Sequence, residues 1–203
     1  MLRFITNNPK ITLEVGCREA THSLLLKKTF SLQETWGIEP ENNKEMVSQA
    51  KKNLDYFIND YLTSDTKDLP SDHFDLIIFN DVLEHMYDPW EVLISTKKYL
   101  KDDGIIVISI PNIRHKSILK QLIFHDDFQY KEEGLLDITH IRFFTKKTII
   151  KMLEECGYEI LKIDSIVVEK KQKIRKRIFN FLTNDRFKTI DIFQYGITAK
   201  KVS

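Results

Sequence analysis

Residues 11–20, ITLEVGCREA, run a buried-strand pattern straight into an acidic residue, Gly16 and the start of a helical stretch. Ile11, Leu13 and Val15 mark the strand, and the run from Thr21 to about Thr29, with Leu24, Leu25 and Leu26, marks a helix able to cover it. A strand that turns on glycine into a helix is where a parallel sheet holds a nucleotide-like ligand. Glu39, in WGIEP, ends the next hydrophobic element. That is about the distance downstream at which a doubly wound sheet places its ribose-binding carboxylate. Together the two stretches point to an enzyme built around a small cofactor.

The same alternation continues outward. Trp36 to Glu39 reads as a second strand closed by Pro40, and Asn42 or Asn43 caps a helix with Met46, Val47, Ala50 and Leu54 on one face. Tyr56 to Asn59 reads as a third strand, with Asp60 beyond it. FDLIIF, 74–79, is nearly continuous apolar sequence, as in a strand covered on both faces. A helix over 89–100 starts at Pro89 and buries Val92, Leu93, Thr96 and Leu100; Asp102, Asp103 and Gly104 then turn the chain into a fifth strand, Ile105–Ile110. Right-handed crossovers make this a parallel sheet with helices on both faces, whose ligand-facing ends are Gly16, Glu39, Asp60, Asn80 and Pro111.

After Pro111 the alternation lapses over about 112–144, which reads as a lid-like insertion within a single domain spanning 1–203. It holds a short helix with Ile118, Leu119, Leu122, Ile123 and Phe124, then HDDFQYKEEGLLDITHIRFF. Thr145 caps a helix burying Ile149, Ile150 and Leu153, and Gly157 ends it. A strand over 160–168, a helix over 172–183 and a last strand over 191–199 follow, the last free to enter the sheet antiparallel.

Thirty-one basic against 30 acidic residues give no general argument for nucleic acid. The local basic run 170–177 reads as a solvated helix face, with an anionic membrane or a nucleotide-linked substrate as the sharper alternative. Cys17 and Cys156 form no disulfide framework and no zinc pattern. With no apolar span of about 18 residues and no signal-peptide core, the expected setting is cytoplasmic, as a monomer or homodimer.

LEVGC, WGIEP, FDLIIFNDVLEHMYDP, LKDDGIIVISIPN and THIRFFT together resemble the class I S-adenosylmethionine-dependent methyltransferases over about residues 11–160. The resemblance is to the metal-independent small-molecule branch, which includes ubiquinone-pathway and sugar O-methyltransferases. It implies a Rossmann-like, seven-stranded, mostly parallel sheet with the last strand antiparallel and helices on both faces, and S-adenosyl-L-methionine as cofactor. Glu14, Gly16 and Cys17 fall in its cofactor loop. Glu39 matches the carboxylate that takes both ribose hydroxyls, and Asp60, with Asp65 as alternative, the acceptor from the adenine amino group. Asn80 and Asp81 match the strand end beside the methionine portion and methyl group. The chain departs from the family at Arg18 and Ala20, where further glycines are usual.

A sulfonium methyl is already activated, so transfer needs an acceptor atom held in line with the methyl–sulfur bond. His85, a few residues past the fourth strand, is the first candidate for proton removal; His140 in the lid competes with it, and His115 follows. For each, a structural hydrogen bond is the plainer alternative. Glu84 and Asp88 read as loop-ordering residues, and the spacing around His85 gives no recognisable metal-ligand set, so no metal is expected. Phe124, Phe128, Tyr130, Phe143 and Phe144 suit a sugar or an aromatic ring, and Arg142 an anionic substituent. Relatives with the GLLDITHIRFFT signature accompany cell-surface glycan synthesis, which implies a sugar or other hydroxyl-bearing small molecule as acceptor. The alternatives are an aromatic or quinone O-methyltransferase and a non-catalytic cofactor-binding or scaffolding subunit, the latter motivated by Arg18 and by the only ten residues before the first strand. A nicotinamide dehydrogenase fits less well, since the GxGxxG loop is incomplete.

Overall fold

The stretch that ends at Gly16 forms an inner strand, β1 (Ile11–Val15), in the computed structural model of the protein, whose described residues are 1–167 and 189–202. β1 pairs in parallel with β2 (Glu34–Ile38) on one side and β4 (Phe74–Asn80) on the other. β3 (Tyr56–Ile58) lies parallel to β2 at one edge, and β5 (Leu100–Pro111) parallel to β4. β7 (Gln194–Lys201) runs antiparallel to both β5 and β6 (Tyr158–Ser165), which gives the order β3-β2-β1-β4-β5-β7-β6. This is the Rossmann-like sheet that the sequence predicts, seven-stranded and mostly parallel with its last strand antiparallel.

Helices α1 (Thr21–Thr29), α2 (Lys44–Asn53), α3 (Pro89–Thr96), α4 (Lys116–His125) and α5 (Lys146–Glu155), with 3-10 turns at Leu2–Phe4 and Leu83–His85, complete the described elements. Burial on both faces explains the unbroken apolar run of β4. Ile77 and Phe79 join the cluster with Leu13, Val15, Ile106 and Ile108, while Leu76 and Ile78 join Phe4, Leu26, Ile105 and Val107 on the other face. Each such side chain contributes about 1.5–3 kcal/mol relative to exposure. Local signals agree with this packing. The Asn43 side chain accepts from the backbone of Glu45 and Met46, Asp88 caps α3, and Thr145 with Thr148 forms a capping box on α5.

Some boundaries differ. The helix expected over 89–100 stops at Thr96, and Leu100 already pairs with Phe74. The Asp102–Gly104 turn lies inside β5, because Leu76 next pairs with Ile105 and the intervening residues form a bulge. Gly104 fits there because a Cβ would sit 2.9 Å from the Phe74 carbonyl oxygen. β6 begins earlier, at Tyr158, and β7 later, at Gln194. The helix expected over 172–183 and the basic run 170–177 lie outside the described residues. Among the described residues no helix is long and apolar enough to cross a membrane.

Candidate functional site

After β1 the chain adopts left-handed backbone at three alternating positions, Gly16 (φ 70°), Arg18 (φ 47°) and Ala20 (φ 56°). The glycine-type path therefore persists where the glycines do not. At Gly16 nothing else fits, since a Cβ would lie 2.5 Å from Val82 Cγ2. The Arg18 backbone N–H donates to Glu39 Oε2 at 3.0 Å while its side chain is exposed. Glu14, 4% exposed, is turned inward: its Oε2 accepts from the Ser23 backbone and hydroxyl, and its Oε1 lies 3.5 Å from His22 Nδ1. It fixes the start of α1 beneath the loop. Cys17 is likewise buried, against Ala20, Ala50 and Leu54, and burial pushes its thiol far above the ordinary range.

A cleft of about 530 Å³ opens over the carboxyl ends of β1, β2 and β3 and the segment after β4. Gly16, Glu39, Asp60, His85, Met86 and Asp88 all line it. Burial raises the Glu39 carboxyl, and the Arg18 N–H opposes this. Asp60 accepts from the Tyr61 N–H at 2.7 Å. Asp60 lines the cleft and Asp65 does not.

Beyond β4, the Asn80 Oδ1 is buried without a partner. Asp81 (φ 53°) donates its N–H to Ser109 Oγ at 2.9 Å, and its Oδ1 accepts from the Ser109 hydroxyl and the Gln194 amide. Leu83–His85 forms a 3-10 turn that carries Glu84 into the interior and His85 onto the cleft wall. Glu84 is 0% exposed and neither carboxyl oxygen has a hydrogen-bond partner. Burial pushes its carboxyl up to about 8; its own backbone N–H works against this, while Asp81 and Asp137 add to it.

The segment after α4 is strapped to this turn. Ile141 and Arg142 each donate a backbone N–H to the Glu84 carbonyl at 3.0 Å, and the Arg142 guanidinium donates to the Tyr87 carbonyl. His85 Nδ1 lies 3.2 Å from the Thr139 carbonyl oxygen, and His140 Nδ1 3.4 Å from that of Leu135. The two imidazole rings meet edge-on at 4.7 Å, and His140 Nε2 is 4.0 Å from Glu84 Oε1. Burial, then His85, lowers the His140 pKa. His115 instead caps α4, Phe144 joins the core, and Phe128, Tyr130 and Phe143 pack on one another outside the cleft wall. Glu84, which reads in the sequence as a loop-ordering acid, carries one further signal: it directly precedes a histidine in an otherwise apolar turn.

Comparison with known proteins agrees with this fold. A family model described as a methyltransferase domain matches residues 1–163. The chain belongs to this methyltransferase family. An uncharacterised protein of Methanocaldococcus jannaschii is 28% identical over 112 residues, 54% of this chain and 51% of its own length. The chain thus spans about half of that curated relative. A S-adenosylmethionine-dependent methyltransferase of Archaeoglobus fulgidus is similar at TM-score 0.65 and 21% identity, over 98% of this chain and 89% of its own. A Thermotoga maritima protein, described as a SAM-dependent methyltransferase and possible histamine N-methyltransferase, gives TM-score 0.67 and 15% identity over 99% and 86%. The fold is thus the fold of S-adenosylmethionine-dependent methyltransferase enzymes.

Proposed function

We propose that the protein transfers the methyl group of S-adenosyl-L-methionine to a small polar acceptor, a sugar or another hydroxyl-bearing metabolite. The observation that carries this reading is that one cleft gathers Gly16, Glu39, Asp60 and His85 from four successive strand ends. Glu39 would accept from both ribose hydroxyls in place of the Arg18 N–H, Asp60 from the adenine amino group, and the turn at Gly16 would carry the methionine portion, with Asn80 and Asp81 at its methyl end. Glu14 and Cys17 serve the same cofactor from beneath, by fixing the loop. His85, with His140 against it, stands at the acceptor end.

The aromatic side chains of 112–144 do not line the cleft, whereas Tyr61, Tyr87 and several aliphatic side chains do, so the polar acceptor rests on the GLLDITHIRFFT resemblance rather than on the cleft lining. A purely scaffolding role loses one of its motives, since the Arg18 side chain is exposed and does not line the cleft. Two free buried thiols suit a cytoplasmic setting.

Titration calorimetry with S-adenosylhomocysteine tests the cofactor half. Glu39→Gln should weaken binding about 10- to 100-fold, the equivalent of about 1.5–3 kcal/mol for hydrogen bonds to a charged group. The ribose hydroxyls need the ionised carboxylate, and burial raises its pKa. Wild-type affinity should therefore fall on acidification at a pH above the ordinary carboxylate range, while the Gln variant stays flat. Equal affinity of the two proteins counts against ribose recognition by Glu39. Release of S-adenosylhomocysteine with nucleotide sugars but not with simple phenols supports the acceptor half; the reverse pattern overturns it.

A further inference from the structure

We propose that Glu84, His85 and His140 form a binding site for one divalent first-row transition-metal ion at the acceptor end of the cleft. One ligand atom from each residue lies within 4.8 Å of the others. Two imidazoles and one carboxylate make up the three-ligand set that leaves coordination positions open for an incoming oxygen. This departs from the expectation of a metal-independent site, which rested on the resemblance and on the spacing around His85.

Two features of the surroundings point to a cation rather than to an accidental cluster. Glu84 is fully buried, yet neither of its carboxyl oxygens has a hydrogen-bond partner. A buried carboxyl left unmatched is costly unless something else satisfies it. The second feature is how the imidazoles are held. His85 Nδ1 is positioned by the Thr139 carbonyl and hydroxyl, at 3.2 and 3.1 Å, and His140 Nδ1 by the Leu135 carbonyl at 3.4 Å. A ring that donates Nδ1–H to a carbonyl keeps the lone pair on Nε2, which is how ligating histidines are oriented by the groups behind them. In His140 that Nε2 faces Glu84 Oε1 across 4.0 Å, beyond hydrogen-bond reach. Ligands at about 2.0–2.2 Å from an ion stand about 3–3.5 Å apart, so small side-chain rotations close the site.

His85 also lines the cleft, so the open positions face the space that an acceptor would enter. This part rests on the methyltransferase reading. An acceptor hydroxyl bound to the ion loses its proton to water more readily. Its oxygen then bonds to the methyl carbon as the carbon–sulfur bond breaks, and that electron pair stays on the sulfur of S-adenosylhomocysteine. His85 and His140 act here as ligands, and no side chain need take the proton.

The test uses the full chain freed of metal by a chelator, titrated with Co(II) and, in parallel, with S-adenosylhomocysteine. One Co(II) per chain with visible ligand-field bands is expected. Glu84→Gln and His140→Gln should each weaken it about 100-fold or more while S-adenosylhomocysteine binding is kept. Imidazole nitrogen NMR of the wild type requires no variant: Zn(II) should shift the Nε2 resonances of two histidines and leave their Nδ1 resonances protonated. No uptake of Co(II), or no shift with Zn(II), overturns the site. Catechol, as a vicinal-diol probe, should alter the Co(II) bands; unaltered bands at saturation overturn the open positions. Co(II) binding without S-adenosylhomocysteine binding leaves the metal site standing and removes the methyltransferase reading. The opposite result removes the metal site alone.

Discussion

Two buried glutamates sit at the carboxyl ends of neighbouring strands and are treated in opposite ways. Glu14, at the end of β1, is 4% exposed and spends its oxygens on Ser23 and His22, which tie the cofactor-side loop to α1. Glu84, in the turn after β4, is 0% exposed and has no hydrogen-bond partner for either oxygen. In the first region the Glu14 carboxylate is matched by the Ser23 donors, while both His22 nitrogens beside it are buried without a hydrogen-bond partner. The second keeps an unmatched polar group next to a cleft, the pattern expected where stability is traded for something bound.

Substitutions can break this contrast, and the largest effect is expected at the turn between the two. Gly16→Val would force a side chain into left-handed backbone and onto Val82, for a loss of about 3 kcal/mol or more and of cofactor binding. A denaturant midpoint that barely moves would show that the turn is not tightly packed. Glu14→Met should destabilise the fold by about 2 kcal/mol, because the Ser23 donors lose a charged acceptor. The same exchange at Glu84 should have the opposite sign. With chelator present, Glu84→Met is expected to raise stability by about 1–2 kcal/mol, since a desolvated carboxyl gives way to an apolar chain of similar shape. A lowered melting temperature there would mean that Glu84 is satisfied after all. The smallest effect is expected at Arg18→Gly. Relief of left-handed strain and the added freedom of the unfolded chain nearly cancel, to within about 1 kcal/mol, and S-adenosylhomocysteine affinity should be unchanged.

The two regions also differ in how legible they were. The β1 turn is a run of consecutive residues, so strand periodicity, Gly16 and the Glu39 spacing disclose it; even Arg18 and Ala20 keep the left-handed path. Asn43 and Thr145 announce their helices for the same local reason. The second region is assembled by tertiary contact. Nothing in the spacing of Glu84 and His140 foretells that the Glu84 carbonyl would receive the Ile141 and Arg142 N–H groups and draw His140 onto the turn. Cys17 misleads for a related reason: it follows Gly16 in the loop, but its side chain packs under α2 on Ala50 and Leu54. The Asp102–Gly104 turn chemistry is real but is spent on a bulge within β5, because sheet pairing resumes on both sides of it.

A crystal structure with S-adenosylhomocysteine tests the central claim most directly. The account expects both ribose hydroxyls on Glu39, the homocysteine tail over the turn at Gly16, and the sulfur directed toward the Glu84–His85 turn. A ligand whose ribose lies away from Glu39, or whose sulfur points away from that turn, would contradict it.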